Sequence, residues 1–253
     1  MIDLSVVILT KNEEKNIRDC LESVSDWANE VIIVDDESTD RTIEIVKDYT
    51  NKVFIKKMDI EGRHRNWAYA QAKNIWVLSL DADERVTPEL EEEIKEVLKN
   101  NPKANGFTIP MRNYIGDHWI KYGGWYPSPK LKLFRKDKFR YEEVGVHPKA
   151  FMDDPCGHLK SDIIHRAFRN IENFLNKLNI QTTREAEKWF NQNKPMRLGR
   201  FIWRTMDRFM RTYIKKKGYR DGFVGFVVAF FSALYQFISY LKYRELVLKR
   251  RDE

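Results

Sequence analysis

The chain has 253 residues, of which 42% are hydrophobic, 13% aromatic and 33% charged. That length and aromatic content exclude both a stapled mini-protein and a disordered charged tail. The net charge of +7 is uneven: residues 194–253 carry 15 Lys/Arg against 5 Asp/Glu, while residues 1–193 are net −3.

Residues 4–9 (LSVVIL) form a short apolar run of strand length. Asn12 to Trp27 places Ile17, Cys20, Leu21 and Val24 at helical spacing. Residues 31–34 (VIIV) read as a second buried strand, after which Ser38 or Thr39 is expected to cap a helix carrying Ile43, Val46 and Tyr49. A strand over 53–57, a helix over 63–73 and a buried strand over 75–80 (IWVLSL) follow. Thr87-Pro88 reads as N-cap and first helical residue. Strands apolar on both faces, alternating with helices, predict an α/β fold with a parallel sheet, which binds ligands at its carboxyl edge. After residue 105, GFTIPMRNYIG, PKLKLFRK and residues 158–165 read as strands joined by aromatic and Gly/Pro loops. Residues 166–193 read as a helix with an apolar stripe, ended by Pro195. These boundaries predict a catalytic domain over 1–193 and a helical region over 194–253.

Cys20 and Cys156 are too far apart for a disulfide framework or a cysteine metal set, which favours a reducing compartment. Met1 leads straight into a strand without the basic region and cleavage site of a secretory signal.

The sharpest local feature is Asp81-Ala82-Asp83-Glu84, directly after a buried strand. Two carboxylates one residue apart at a sheet edge can share a divalent cation that in turn binds phosphate oxygens. The alternative is a solvated acidic loop that starts a helix. Its context bears on the choice. Thr10-Lys11-Asn12-Glu13-Glu14 follows the first strand, Asp35-Asp36-Glu37-Ser38-Thr39-Asp40 follows the second, and Arg65-Asn66 precedes the strand leading to Asp81. Together, over roughly residues 1–170, these motifs resemble the family 2 inverting glycosyltransferases of GT-A fold. The tail is similar to membrane-associated members such as the lipopolysaccharide-core glucosyltransferases.

The resemblance implies roles residue by residue. Thr10, Asn12 and Glu13 would lie against the base and ribose of the nucleotide-sugar, and Asp36 with Asp35 would hydrogen-bond the uracil or ribose. Arg65 would approach the diphosphate, whose oxygens match a guanidinium. Asp81 and Asp83 would form the Asp-x-Asp motif, with Asp83 the direct ligand of Mg²⁺ or Mn²⁺. His165 falls where many such enzymes place a histidine near the metal or diphosphate, and a structural role is its alternative. Gly123-Gly124-Trp125-Tyr126 looks like the acceptor loop, with Gly124 and Trp125 facing the sugar; an ordinary turn is the other reading. Lys132 or Arg135 of KLKLFR would reach phosphate, unless that strand face is simply solvated. Relatives carry Val-His-Glu where this chain has Val146-His147-Pro148, so the general base is open among Glu143, His147 and Glu142, with Asp117 further back.

Residues 198–217 set Leu198, Phe201, Ile202, Met206, Phe209, Met210, Tyr213 and Ile214 on one helical face and most arginines on the other. Such a helix suits an anionic membrane interface, or packs on the catalytic domain with a solvated basic face. Gly222 to Leu241 is a 20-residue stretch without a charge, long enough to span a bilayer. Monotopic attachment at the cytoplasmic face of the cell membrane is the favoured expectation over a single span. The small residues of that stretch would also suit a homo-oligomer.

The expected function is transfer of a hexose, glucose in the first instance, from a UDP-sugar to a membrane-bound saccharide or glycolipid acceptor such as lipopolysaccharide core. A polyprenyl-phosphate acceptor is the close alternative, since a phosphate nucleophile needs little base catalysis. A nucleotidyltransferase fits less well, because Thr10-Lys11-Asn12-Glu13 is not a Gly-rich phosphate loop. Nucleic-acid binding is not expected of a net-acidic α/β segment, which leaves a non-enzymatic membrane adaptor as the last alternative.

Overall fold

A computed structural model describes residues 2–144, 149–192 and 198–252. The chain divides into two compact units: residues 1–111 with 128–165, and residues 112–127 with 166–253. The second unit therefore begins well before residue 194, the expected boundary. The physical reason is that the helix before residue 194 and the aromatic loop after residue 112 pack with the C-terminal helices.

The first unit opens with β1 (Ile2–Thr10), α1 (Ile17–Glu22), β2 (Ala28–Asp35), α2 (Thr42–Val46), β3 (Val53–Ile55), α3 (Glu61–Ala70), β4 (Trp76–Asp81), β5 (Glu84–Val86), α4 (Pro88–Lys99) and β6 (Gly106–Ile109). Strand β7 (Met111–Ile115) and β8 (His118–Trp119) belong almost wholly to the second unit. The first unit resumes with β9 (Lys130–Arg135), β10 (Phe139–Tyr141), β11 (Ala150–Met152), β12 (Cys156–His158) and the start of β13 (Ile163–Phe168). Its main sheet has the order β12-β6-β9-β4-β1-β2-β3. Strands β4, β1, β2 and β3 run parallel, and β9 runs antiparallel to both β4 and β6.

Alternate residues of β1 feed two cores, because successive strand side chains point to opposite faces. Leu4, Val6 and Ile8 pack with Ile17, Cys20, Leu21, Leu90 and Ile94 from α1 and α4. Val7 packs on the other face with Ala68 and Tyr69 of α3 and with Phe134 and Phe139. Thr87 caps α4 as its sequence predicts, its hydroxyl accepting from Leu90 N–H at 3.2 Å, with Pro88 in the first turn. Ser38 and Thr39 do not cap α2: the Ser38 hydroxyl donates to Asp35 at 2.5 Å and accepts from Asn12 N–H at 2.8 Å. Helix α1 is shorter than the spacing predicts, and Pro110 divides GFTIPMRNYIG into two strands.

In the second unit β7 pairs with β8, and α5 (Ile171–Asn191), α6 (Leu198–Met210) and α7 (Gly222–Asp252) pack together. A π-helical turn (Arg211–Lys215) and a 3₁₀ turn (Gly218–Asp221) join α6 to α7. Helix α5 begins at Ile171 because β13 continues to Phe168. The Asp221 carboxylate accepts from Tyr122 N–H at 2.8 Å, tying the aromatic loop to this turn. Phe201 stacks on Tyr240 at 4.1 Å and Phe174 meets Phe231 at 4.9 Å. By length and composition, residues 218–250 include a helix apolar enough to cross a membrane.

Candidate functional site

The order β3-β2-β1-β4 reverses between β1 and β4, which makes their carboxyl ends a topological switch point. Register places the motif residues there together. Thr10 lies opposite Asp35, and Leu9 lies opposite Asp81. Asp36 N–H donates to the Thr10 carbonyl at 2.9 Å, and Ala82 N–H to that of Leu9 at 3.3 Å.

The β1 and β2 loops interlock. Asn12, at a positive φ of 53°, accepts from Thr39 N–H at 2.8 Å through Oδ1. Glu13 N–H donates to Thr42 Oγ1 at 2.8 Å, and the Glu13 carboxylate accepts from Asn16 at 2.6 Å. Asp35 is fully buried, and both its oxygens accept from Ser38, so its carboxylate shapes the turn that presents Asp36. Asp36 accepts from Lys11 Nζ and from Met58 N–H, each at 2.7 Å. Burial works against its ionisation, and these donors outweigh burial, so its pKa falls below the ordinary aspartate value. Two buried polar atoms nearby, Thr10 Oγ1 and His64 Nδ1, have no hydrogen-bond partner. Burial also holds the His64 imidazole toward its neutral form.

A chain of charges runs from Asp81. Its Oδ1 accepts from Arg65 Nη2 at 3.1 Å and its Oδ2 from Lys132 Nζ at 3.2 Å. Lys132 also donates to Glu84 Oε2 at 2.6 Å, and Glu84 accepts from Asp81 N–H at 2.9 Å. Burial favours neutral Asp81, but Arg65 and Lys132 overcome it and hold the carboxylate ionised well below its usual range. Burial raises the Glu84 pKa. For Lys132, burial opposes the charge and the two carboxylates restore it, which raises its pKa. On β13, His165 stands in register with Glu84, and its Nε2 lies 3.6 Å from Asp83 Oδ1. Burial disfavours imidazolium, and Asp83 more than compensates, so the His165 pKa is raised.

Among the described residues no group of three or more His, Cys, Asp or Glu could hold a metal by itself. Asp83 and His165 instead offer a hard oxygen and an imidazole side by side, which fits a cation whose shell is completed by substrate phosphates.

Thus Thr10, Asn12, Glu13, Asp35, Asp36, Arg65, Asp81, Asp83, Lys132 and His165 all lie in the first unit, about the carboxyl edge. Arg135 is not brought there. It lies opposite Trp76, at the other end of β4, and pairs with Asp137 at 3.0 Å. Glu143 is exposed and meets Arg63 at 3.3 Å, while Glu142 is half-buried. His147 lies outside the described residues. Gly124 and Trp125 belong to the second unit, where Gly124 has a φ of 83° and the Trp125 carbonyl accepts from Asn113 at 2.8 Å. Asp117, in the same unit, pairs with Arg166 at 3.0 Å. The sequence assigns no role to Lys11 and Glu84, although both lie inside the quoted motifs, and it reads His64 as a surface or core residue without motif support, although it directly precedes Arg65.

Residues 5–154 match the family model described as Glycosyl transferase family 2. An uncharacterized glycosyltransferase of Rickettsia typhi is 28% identical, covering 100% of this chain and 90% of that protein. The lipopolysaccharide core biosynthesis glycosyltransferase LpsC of Rhizobium meliloti is 27% identical, covering 99% of this chain and 95% of its own. Among solved structures, Staphylococcus aureus TarS 1–349 in complex with UDP has a TM-score of 0.48 at 17% identity, over 96% of this chain and 91% of that one.

Proposed function

The chain belongs to glycosyl transferase family 2, and from that premise we propose that it is a metal-dependent inverting enzyme. It moves a hexose, glucose in the first instance, from a UDP-sugar to a saccharide or lipid acceptor held at an anionic membrane surface. The observation that carries this reading is the convergence of Thr10, Asp36 and Asp81 on adjacent parallel strand ends at the switch point. LpsC, by its name a lipopolysaccharide core enzyme, supports a lipopolysaccharide-core acceptor.

In this reading Asp36 accepts from the base or ribose, and the buried Thr10 hydroxyl and His64 nitrogen gain partners from the nucleoside. Asp81 holds Arg65 and Lys132 at the edge that receives the diphosphate. Asp83 and His165 would hold a divalent cation, which when bound would neutralise charge on the leaving diphosphate. The acceptor hydroxyl is deprotonated by one of Glu143, Glu142 or His147. Proline at position 148 favours a second reading, in which a polyprenyl phosphate attacks without a strong base.

The test is a thermal-shift screen of UDP-sugars with Mn²⁺, followed by transfer assays on oligosaccharide and polyprenyl-phosphate acceptors. UDP-glucose at 100 times its Kd should stabilise the protein by about 2.7 kcal/mol. Asp83→Ala should lower transfer and donor hydrolysis by about 100-fold or more. Unchanged turnover in that variant sinks the metal assignment, and indifference to every UDP-sugar sinks the donor.

A further inference from the structure

Among the described residues, the second unit carries an apolar face left exposed to solvent. On α6, Leu198, Ile202, Met206 and Met210 recur at spacings of four and are each about half exposed or more. On α7, Phe223 is 79% exposed, and Phe226, Phe230, Phe237 and Leu241 are each exposed by at least two-fifths. Phe209 meets Phe226 at 6.1 Å, which joins the two stripes into one surface. An exposed apolar face shared by two helices marks an interaction site.

The other flank of the same helix pair is cationic. A groove of about 380 Å³ is lined by Arg200, Arg204, Arg208 and Arg211, with Trp203 and Gln236. Asp207 lines it too and ion-pairs with Arg211. The helix pair is therefore apolar on one side and arginine-rich on the other. A helix about 10–12 Å across, sunk about 5–10 Å into a bilayer surface, keeps its far flank at the level of the headgroups. Guanidinium groups there meet lipid phosphates, which they match bidentately.

Charge and neighbours decide between lying and spanning. Helix α5 runs beside α7. Lys242 Nζ donates to the Asn179 carbonyl at 2.8 Å and to Thr183 at 2.7 Å, and Trp189 meets Tyr243 at 6.4 Å. The outer side of α5 exposes Glu172, Arg184 and Glu187. Were α7 to span, those charges would enter hydrocarbon at a cost of several kcal/mol.

We propose that the α6–α7 face docks in the plane of an anionic phospholipid bilayer, its apolar side in the acyl region and its arginine groove holding lipid phosphate. This deepens the membrane-held acceptor reading and rests on it for its purpose. The test uses the full chain with vesicles of phosphatidylcholine alone and of phosphatidylcholine with phosphatidylglycerol. Wild-type protein should sediment with the anionic vesicles. Phe223→Glu with Phe230→Glu should weaken that by at least about a hundredfold, since each puts a charge where the docked protein would sink an aromatic ring into the acyl region. Arg200→Gln with Arg208→Gln should weaken anionic binding by roughly thirtyfold, about 1 kcal/mol per arginine, and leave neutral-vesicle binding unchanged. Both pairs lie outside the nucleotide site, so the donor-induced thermal shift should persist in each. Wild-type binding to neither vesicle, wild-type affinity in the phenylalanine pair, or equal loss on both lipids in the arginine pair overturns the proposal. So does retention on native membranes through alkaline carbonate, which indicates a span. Loss of the donor shift in wild-type protein sinks the enzyme reading instead and leaves the lipid result standing.

Discussion

Lys132 holds the acidic loop together from a neighbouring strand. Its ammonium is nearly buried and lies between Asp81 and Glu84. Removing one partner of a buried pair strands the other charge, at a cost of about 3–5 kcal/mol. Lys132→Met should therefore destabilise the protein by about that much in urea unfolding, and adding Glu84→Gln should recover part of the loss. Additive effects of the two substitutions would show that they are not coupled. Glu30 provides a pH test remote from the site. Burial raises its pKa, but Lys52, Ser5 and the Lys73 N–H together pull it below the ordinary glutamate value. Its folded pKa lies below its unfolded one, so its contribution is full above the unfolded value of 4.5 and disappears as pH falls through the folded pKa. Glu30→Gln should cost about 2 kcal/mol at pH 7. That gap should narrow below pH 4.5; a gap independent of pH would show that the carboxylate charge contributes nothing.

Helix α7 starts on a turn with no room for a side chain. A Cβ at Gly225 would overlap the Gly218 carbonyl, and one at Gly218 would come within 2.7 Å of the Thr212 carbonyl oxygen. Gly225→Ala should lower stability by about 1–3 kcal/mol despite the better helix propensity of alanine, as read from thermal unfolding. An increase in Tm would mean that the turn adjusts freely. The same distinction between local and long-range determinants sets what the sequence discloses. The apolar runs VVIL, VIIV and IWVLSL mark β1, β2 and β4, and their flanking motifs mark the carboxyl edge, because strand length and loop chemistry are local. The reach of Lys132 to Asp81 depends on β9 lying antiparallel beside β4, a pairing across some fifty residues with no local signal. That same antiparallel course carries Arg135 to the opposite end of β4, although both residues sit in one short motif. Ser38 reads as a helix cap, and only the approach of the β1 loop shows that Asp35 and Asn12 use its hydroxyl.

At the scale of the whole molecule, the net charge of +7 is the sum of two parts with different work. The segment bearing the Asp-x-Asp motif is net −3 over residues 1–193 and holds Lys11, Arg65 and Lys132 in ion pairs at the sheet edge. The net +10 lies in residues 194–253, beside an exposed apolar face. Attraction of that segment to an anionic surface should therefore be steeply dependent on salt, because raising ionic strength from about 0.01 to about 1 M shortens the Debye length from about 30 to about 3 Å. Trp203 reports on this directly. It is 64% exposed and lines the arginine groove, whereas Trp27 and Trp189 are buried. Anionic vesicles should shift the fluorescence emission to the blue, and Trp203→Phe should remove most of that shift without releasing the protein from lipid. Across the salt range the lipid concentration at half-saturation should rise by at least about tenfold while the shift at saturation stays constant, since burial of the indole does not depend on screening. A midpoint indifferent to salt would assign the attachment to the apolar face alone and leave the arginines without a part in it.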